Sequence, residues 1–127
     1  MTMQKTDIQY DELSDTLYLV FEGNPTGREI TGIELNPHIL LRVDVESGTL
    51  VGVSIFDYSI VAQRTQMGPR SFPLTGLQKL PGTLREMALR ILSSPPANEF
   101  FATFAYTPTS ANEAIPITSL QALPVAV

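Results

Sequence analysis

Alternating apolar and polar positions predict β-strands in the first half of the chain. Residues 39–45 and 50–57 both carry apolar side chains at every second position, which is typical of strands with one buried face. Residues 46–48 lie between them and read Glu-Ser-Gly, where Gly48 suits the positive φ of a hairpin turn. The two segments therefore predict an antiparallel hairpin.

Two more strands are expected before this hairpin. Residues 8–10 lead through a turn-rich connection into residues 16–21, which are apolar on both faces. A strand covered on both sides would have this composition, so residues 16–21 are expected to lie centrally in the sheet.

The alternation changes phase within residues 28–35. Ile30 and Ile33 cannot share a face of a regular strand, because successive side chains point to opposite faces. An extra residue would restore the phase, so the pattern predicts a bulge near Gly32.

A helical period appears in the second half, over residues 83–93. Apolar side chains recur there at i, i+3, i+4 and i+7. These are Leu84, Met87, Ala88 and Ile91. Thr83 and Glu86 have the spacing of a capping box, and two prolines follow the helix.

The remaining segments are less regular. Residues 60–80 have no clear period, and residues 59–66 fit a short helix that overlaps the start of this stretch. Residues 100–107 fit a strand with Phe100, Ala102, Phe104 and Tyr106 on one face. Residues 114–120 fit an edge strand, because Pro116 lacks the N–H that a central strand donates.

Together these elements predict an α+β fold in one domain, residues 1–127. Residues 7–59 form an antiparallel β-meander, and the amphipathic helix packs on one of its faces. Residues 60–127 supply that helix and a C-terminal β-hairpin or extension.

Composition narrows the function classes. The net charge is −5, with −7 in residues 1–60 and +2 in residues 61–127, so nucleic acid is not an expected partner. The chain has no cysteine, which excludes disulfides, thiolate catalysis and cysteine-based metal sites. No apolar run is long enough for a signal peptide or a membrane span, so we expect a cytoplasmic protein that does not contact membranes.

Five residues are candidates for ligand or partner contacts. His38 is the only imidazole for acid–base chemistry, although it follows Pro37 where an exposed histidine needs no special role. Asp57 and Tyr58 end the last meander strand, where Asp57 either caps the turn into Ser59 or is buried with a raised pKa. Arg64 and Arg70 either bind an anionic group or balance the acidic half of the chain.

Three carboxylates lie close together at Asp11, Glu12 and Asp15. They have the oxygen chemistry that Ca²⁺ or Mg²⁺ prefers, but the spacing lacks the glycine and additional ligands of a calcium loop. A turn in which these side chains bond their own backbone explains the cluster better. We therefore predict no metal, no cofactor and no catalytic residues.

Residues 7–59 resemble a bacterial family known only as domain of unknown function 2283. The resemblance rests on Tyr10-Asp11, Asp15 and Leu17-Tyr18, followed by an apolar strand, an acidic Gly-containing turn and the sequence Leu-Val-Gly-Val at residues 50–53. It implies a small β-meander and assigns no catalytic or binding residues. Some relatives resemble partner proteins encoded beside toxins, which implies an antitoxin-like role as one alternative.

The leading functional hypothesis is a non-enzymatic protein-interaction module that acts as a homodimer or other homo-oligomer, or through a protein partner. Residues 114–127 carry no charged side chain and are expected to dock, either on their own chain or on a second copy. The alternative is a small-ligand-binding protein or enzyme with a pocket at the junction of sheet and helix.

Overall fold

The computed structural model describes residues 6–21, 29–66, 68–106 and 115–120. Ten strands and two α-helices lie in these ranges. The strands are β1 Asp7–Asp11, β2 Thr16–Val20, β3 Ile30–Asn36, β4 Ile39–Asp44, β5 Thr49–Phe56, β6 Arg64–Thr65, β7 Gly68–Pro69, β8 Ser71–Pro73, β9 Phe101–Tyr106 and β10 Ile115–Leu120. The α-helices are α1 Tyr58–Val61 and α2 Gly82–Leu92, and two 3₁₀ helices span Thr75–Lys79 and Ala97–Glu99.

Strands β1 to β5 form the first sheet, in the order β1-β2-β5-β4-β3. All of its neighbouring pairs are antiparallel, as the alternation predicted. The predicted α+β class and antiparallel meander are therefore confirmed. β2 lies inside the sheet, between the edge strand β1 and the central strand β5.

One face of this sheet forms most of the core. Cross-strand register places Leu17 opposite Ile55, and it places Val53 opposite both Leu19 and Leu41. All five side chains are at most 1% exposed. Residues after the meander contribute to the same core; among them are Leu77, Ala88, Leu92, Phe101 and Leu120.

The predicted bulge near Gly32 is wrong. Gly32 pairs regularly with Arg42, and the register of β3 shifts between Glu34 and Asn36 instead. Ile33 is buried, whereas Ile30 is only half-buried. Because Ile30 does not belong to the buried face, no extra residue is needed between it and Ile33.

Helix α2 begins and ends within one residue of the predicted segment 83–93. The predicted capping box is wrong, because Pro81 occupies the N-cap and no side chain bonds the free N–H groups there. Thr83 lies inside the helix. Ala88, Ile91 and Leu92 are buried, which confirms that the apolar stripe packs into the core.

Three further predictions are corrected. The short helix expected over residues 59–66 is the single turn α1. The strand expected over residues 100–107 is β9, which begins one residue later, so Phe100 lies outside it. β10 is the central strand of a second sheet ordered β8-β10-β9, so Pro116 does not mark an edge.

The place of Pro116 has a structural reason. Its carbonyl accepts a hydrogen bond from the Leu74 N–H at 2.9 Å, beyond the end of the short strand β8. Residues 115–120 of the uncharged C-terminal segment thus dock on their own chain, and residues 121–127 lie outside the described part. No helix in the described ranges is long and apolar enough to span a membrane.

Candidate functional site

His38 and Asp57 meet at one end of the first sheet. Ile39 lies directly opposite Ile55, so the residue before β4 lies beside the residues that follow β5. His38 Nδ1 is 3.2 Å from Asp57 Oδ2. Within the described residues His38 Nδ1 has no hydrogen-bond partner, so the contact is a close polar pair without a hydrogen bond.

The two side chains differ in exposure. His38 is 30% exposed and Asp57 is 55% exposed. The Nδ1 atom of His38 is itself buried, so the exposed part of the imidazole is the side that points away from Asp57. That exposed side is available to a bound molecule.

Backbone hydrogen bonds fix the position of His38. Asn36 Oδ1 accepts from the His38 N–H at 2.8 Å and from the Ile39 N–H at 3.0 Å. The His38 carbonyl accepts from the Phe56 N–H at 2.8 Å. Asp57 has a φ of 55°, a left-handed conformation that aspartate tolerates better than most residues.

An aromatic ring extends this pair toward Arg70. The imidazole of His38 packs against the Phe72 ring with centroids 5.8 Å apart and an angle of 62° between the rings. The Arg70 guanidinium carbon lies 5.6 Å from the centre of the same ring, which is a cation–π contact. The fold therefore brings three of the sequence candidates to one place, with Phe72 between them.

A cavity of about 240 Å³ opens beside His38 and Phe72. Its lining residues are Asn36, Pro37, His38, Phe72, Pro73 and Thr75. It lies at the end of the first sheet, against β8. This cavity is not at the junction of the sheet and α2, where the alternative sequence hypothesis placed a pocket. A separate cavity of about 280 Å³ does lie at that junction, with Leu50 of β5 and Arg90 and Ile91 of α2 among its lining residues.

Tyr58 does not join this group. Tyr58 is completely buried and packs against Tyr10, with ring centroids 5.6 Å apart, so its role is in the core. The backbone of Arg64 lies in β6, and its side chain lies outside the described part of the structure.

Asp15 organises a second polar cluster that the sequence did not reveal. Its carboxylate accepts hydrogen bonds from Tyr10 Oη at 2.7 Å, from Ser59 Oγ at 2.6 Å and from the Ser59 N–H at 3.0 Å. Asp15 thus caps the turn into Ser59, whereas the pattern predicted that Asp57 would, and the Asp57 side chain makes no capping hydrogen bond. Only the spatial neighbourhood of β2 and β5 identifies the partner, because Ser59 is remote along the chain.

These hydrogen bonds shift the pKa values of Asp15 and Tyr10. Hydrogen bonds from the Ser59 side chain, and then from Tyr10, lower the pKa of Asp15. The hydrogen bond to Asp15, together with partial desolvation and nearby acidic groups, raises the pKa of Tyr10 to about 12. The pair is therefore stabilised as a carboxylate and a neutral phenol.

The neighbouring acidic residues form a turn. Asp11 accepts from the Leu13 N–H at 3.1 Å and from Ser14 Oγ at 2.9 Å. Within the described ranges, no three histidine, aspartate or glutamate side chains are arranged to hold a metal ion.

The second face of the first sheet, which we call the outer face, is also partly apolar. Tyr18 and Leu40 both lie opposite Ser54, and Val20 lies opposite Gly52. The three larger side chains are half-buried and are not among those that pack on the core. The outer face thus has an apolar ridge on β2, formed by Tyr18 and Val20, and one apolar side chain on β4, Leu40, with small residues of β5 between them.

The two edges of this sheet differ. The 3₁₀ helix Thr75–Lys79 covers β3 so closely that a side chain at Gly76 would overlap the Glu34 carbonyl oxygen. β1 is exposed along most of its length and carries Asp7 and Asp11. Charges on an exposed edge oppose strand pairing with another chain, so the outer face is the better contact surface.

Comparison with protein families gives a match to the first part of the chain. Residues 7–59 match the family described as Protein of unknown function (DUF2283). No curated protein and no solved structure shows a significant match to the chain.

The DUF2283 segment coincides with the first sheet, since it starts at the first residue of β1 and ends just after β5. It includes Asp15, His38 and Asp57, together with the whole outer face. Phe72 and Arg70 lie beyond it. The resemblance noted from the sequence is thereby confirmed over the same residues, and the cavity beside His38 combines DUF2283 residues with later ones.

Proposed function

We propose that this protein is a non-enzymatic interaction module that forms a homodimer through the outer face of its first sheet. The observation that carries this proposal is the group of three apolar side chains on that face, two on β2 and one on β4. Tyr18, Val20 and Leu40 are half-buried within the monomer, and packing against a second copy would remove them from water.

The charges on the outer face favour one arrangement of two copies. Asp7, Val20, Gly52 and Arg42 lie in one row across the sheet. A two-fold axis parallel to β5 sets β2 of one copy over β4 of the other. Asp7 of each copy then lies at the same edge of the interface as the partner's Arg42. Tyr18 of each copy packs against Leu40 of the other copy.

The other two-fold arrangement is disfavoured. An axis perpendicular to the strands would place β1 of one copy over β1 of the other. The Asp7 and Asp11 carboxylates of the two copies would then lie close together. Like charges across an interface raise the free energy of association. The parallel axis also suits the aligned packing that is common for two stacked sheets.

The size of the face predicts a dimer of modest stability. Five strands about 4.8 Å apart and roughly 17 Å long present on the order of 300 Å² in projection. Stable complexes commonly bury about 800 Å² on each partner. We therefore expect the dimer to dissociate on dilution.

Sedimentation velocity over a series of protein concentrations tests the proposal. The unmodified protein should shift from monomer to dimer as its concentration rises. Leu40→Asp places a charge among the apolar side chains of the outer face and should keep the protein monomeric. Leu13→Asp is the matched control, because Leu13 is fully exposed in the turn before β2 and the charge change is identical.

Two results would contradict the proposal: a monomer at every concentration, or a Leu40→Asp variant that dimerises as well as the control. Circular dichroism establishes that both variants are folded. Point variants are preferable to deletion of residues 114–127, because that deletion removes β10, the central strand of the second sheet.

A further inference from the structure

We propose that the cavity at the junction of the first sheet and α2 binds a small organic acid that has an apolar body and one carboxylate. The cavity encloses about 280 Å³ and lies where Leu50 of β5 and Ile91 of α2 come together. Both side chains belong to the core, so the site is on the opposite side of the sheet from the outer face. Its β5 residues lie within the DUF2283 segment, and its α2 residues lie beyond it.

The walls of the cavity favour an apolar body. Leu50 and Ile91 contribute aliphatic side chains, and Pro95 and Pro96 contribute rings without a backbone N–H. Ser94 also lines the cavity, but its hydroxyl already donates to a backbone carbonyl at 2.7 Å. The interior therefore offers mainly apolar contact.

The hairpin turn between β4 and β5 closes one end of the cavity, and its polar groups are also engaged. The Gly48 N–H donates to the Asp44 carbonyl at 2.8 Å. The Thr49 hydroxyl is hydrogen-bonded to the Ser47 hydroxyl, also at 2.8 Å. This end of the cavity therefore leaves the polar recognition of a ligand to Arg90.

Arg90 supplies the polar contact. It lines the cavity and is exposed, and its guanidinium lies close to the turn, because a Cβ at Gly48 would be 3.0 Å from Arg90 Nη2. A guanidinium has five N–H donors, and within the described residues that of Arg90 makes no hydrogen bond or ion pair. A carboxylate matches its planar shape and can accept two of its hydrogen bonds at once.

The acidic side chains of this region line other cavities. Asp44 and Glu46 line one beside Leu84, which lies roughly 9 Å before Arg90 along the axis of α2. Glu99 lines a third cavity on the other side of the two prolines. Arg90 is thus the one charged side chain among the described residues that line the proposed site, and its charge selects an acid over a neutral or cationic molecule with the same apolar body.

The volume limits the size of the ligand. Pockets for drug-sized molecules usually enclose roughly 300–1,000 Å³. A cavity of about 280 Å³ suits a single ring or a short branched chain. Benzoate is a suitable probe because it joins one aromatic ring to one carboxylate.

Titration followed by two-dimensional amide NMR tests this inference with three probes. Benzoate should shift the amide signals of Leu50, Ile91 and Ser94 in a saturable manner. Benzamide has the same ring and shape without the charge, and acetate has the carboxylate without the ring. Each of these two should bind at least about tenfold more weakly than benzoate, because each lacks one half of the recognition.

Arg90→Gln should weaken benzoate binding about tenfold, as expected for the loss of a charged hydrogen bond. Arg85→Gln is the matched control, because Arg85 lies on the same helix and carries the same charge but does not line the cavity. This control should bind benzoate like the unmodified protein. The amide spectra also establish that both variants are folded.

Three results would overturn the inference: no saturable shift with benzoate, an affinity for benzamide or acetate equal to that for benzoate, or equal affinity for benzoate in Arg90→Gln and Arg85→Gln. None of them depends on oligomeric state, so the inference can fail while the proposed dimer stands.

Discussion

Tyr10 donates its phenolic hydrogen to Asp15 across a distance of 2.7 Å. The bond connects the edge strand β1 to the residue that immediately precedes β2. Because the same carboxylate accepts two hydrogen bonds from Ser59, it also connects both strands to α1. One side chain thus holds together three segments that are separate in the sequence.

The Tyr10 phenol should ionise later than an ordinary tyrosine. Its pKa of about 12 depends first on the hydrogen bond to Asp15. Asp15→Asn removes the negative charge, so the pKa of Tyr10 should fall toward the usual value of about 10. Phenolate absorbance during an alkaline titration measures this, with Tyr10→Phe identifying the signal. An unchanged curve in Asp15→Asn would contradict the assignment.

Stability should depend on pH at both ends of the scale. The folded-state pKa of Asp15 is lowered, so its contribution is present above the unfolded value of about 3.9 and is lost as pH falls through the folded value. The folded-state pKa of Tyr10 is raised, so its contribution is present below about pH 10 and is lost as pH rises toward 12.

Urea unfolding at several pH values measures both effects. Asp15→Asn should make the unfolding free energy less dependent on pH in the acid range than it is in the unmodified protein. Tyr10→Phe should make it less dependent on pH in the alkaline range. The expectation is contradicted if Asp11→Asn, which alters only the local turn, flattens the acid side as much as Asp15→Asn does.

Much of the first sheet is predictable because its side chains alternate between core and solvent. The hairpin of β4 and β5 follows from that alternation. Its register would also have placed His38 beside Asp57, since Ile39 pairs with Ile55. Residues 16–21 were expected to be covered on both faces, but Tyr18 and Val20 are only half-buried. A partly exposed face and a covered face require the same residue types, so the sequence could not distinguish them.

The remaining contacts could not be predicted from the sequence, for physical reasons. Phe72 lies in a stretch without a period, so no pattern assigned it to β8. Asp15 reaches Ser59 only after β2 pairs with β5, and the turn chemistry of Asp15 alone gave no sign of this. Pro116 was predicted to lie in an edge strand because proline generally does. Here its carbonyl accepts a hydrogen bond from the Leu74 N–H, so it lies in a central strand instead.

Gly76 should not tolerate a side chain. A Cβ there would overlap backbone atoms of Glu34, which cannot move without displacing β3. Gly76→Ala should therefore cost about 1–3 kcal/mol of unfolding free energy, as overpacking generally does. Gly82→Ala is the control, because a Cβ there meets nothing within 4 Å and should stabilise the start of α2 by up to about 1 kcal/mol. Chemical denaturation measures both, and equal effects would refute the explanation.

The first sheet and the segments after it should unfold together, as expected for one domain over residues 1–127. Phe101, from β9, is 1% exposed and belongs to the same core as the side chains of β2 and β5. Phe101→Ala should cost about 3–5 kcal/mol. Phe56→Ala, at a position that is 38% exposed, should lower the unfolding free energy much less.

Thermal unfolding followed by circular dichroism and by tyrosine fluorescence should give coincident transitions in the unmodified protein. If Phe101→Ala lowered only one of two separate transitions, the C-terminal sheet would be an independent unit and the prediction of a single domain would be wrong.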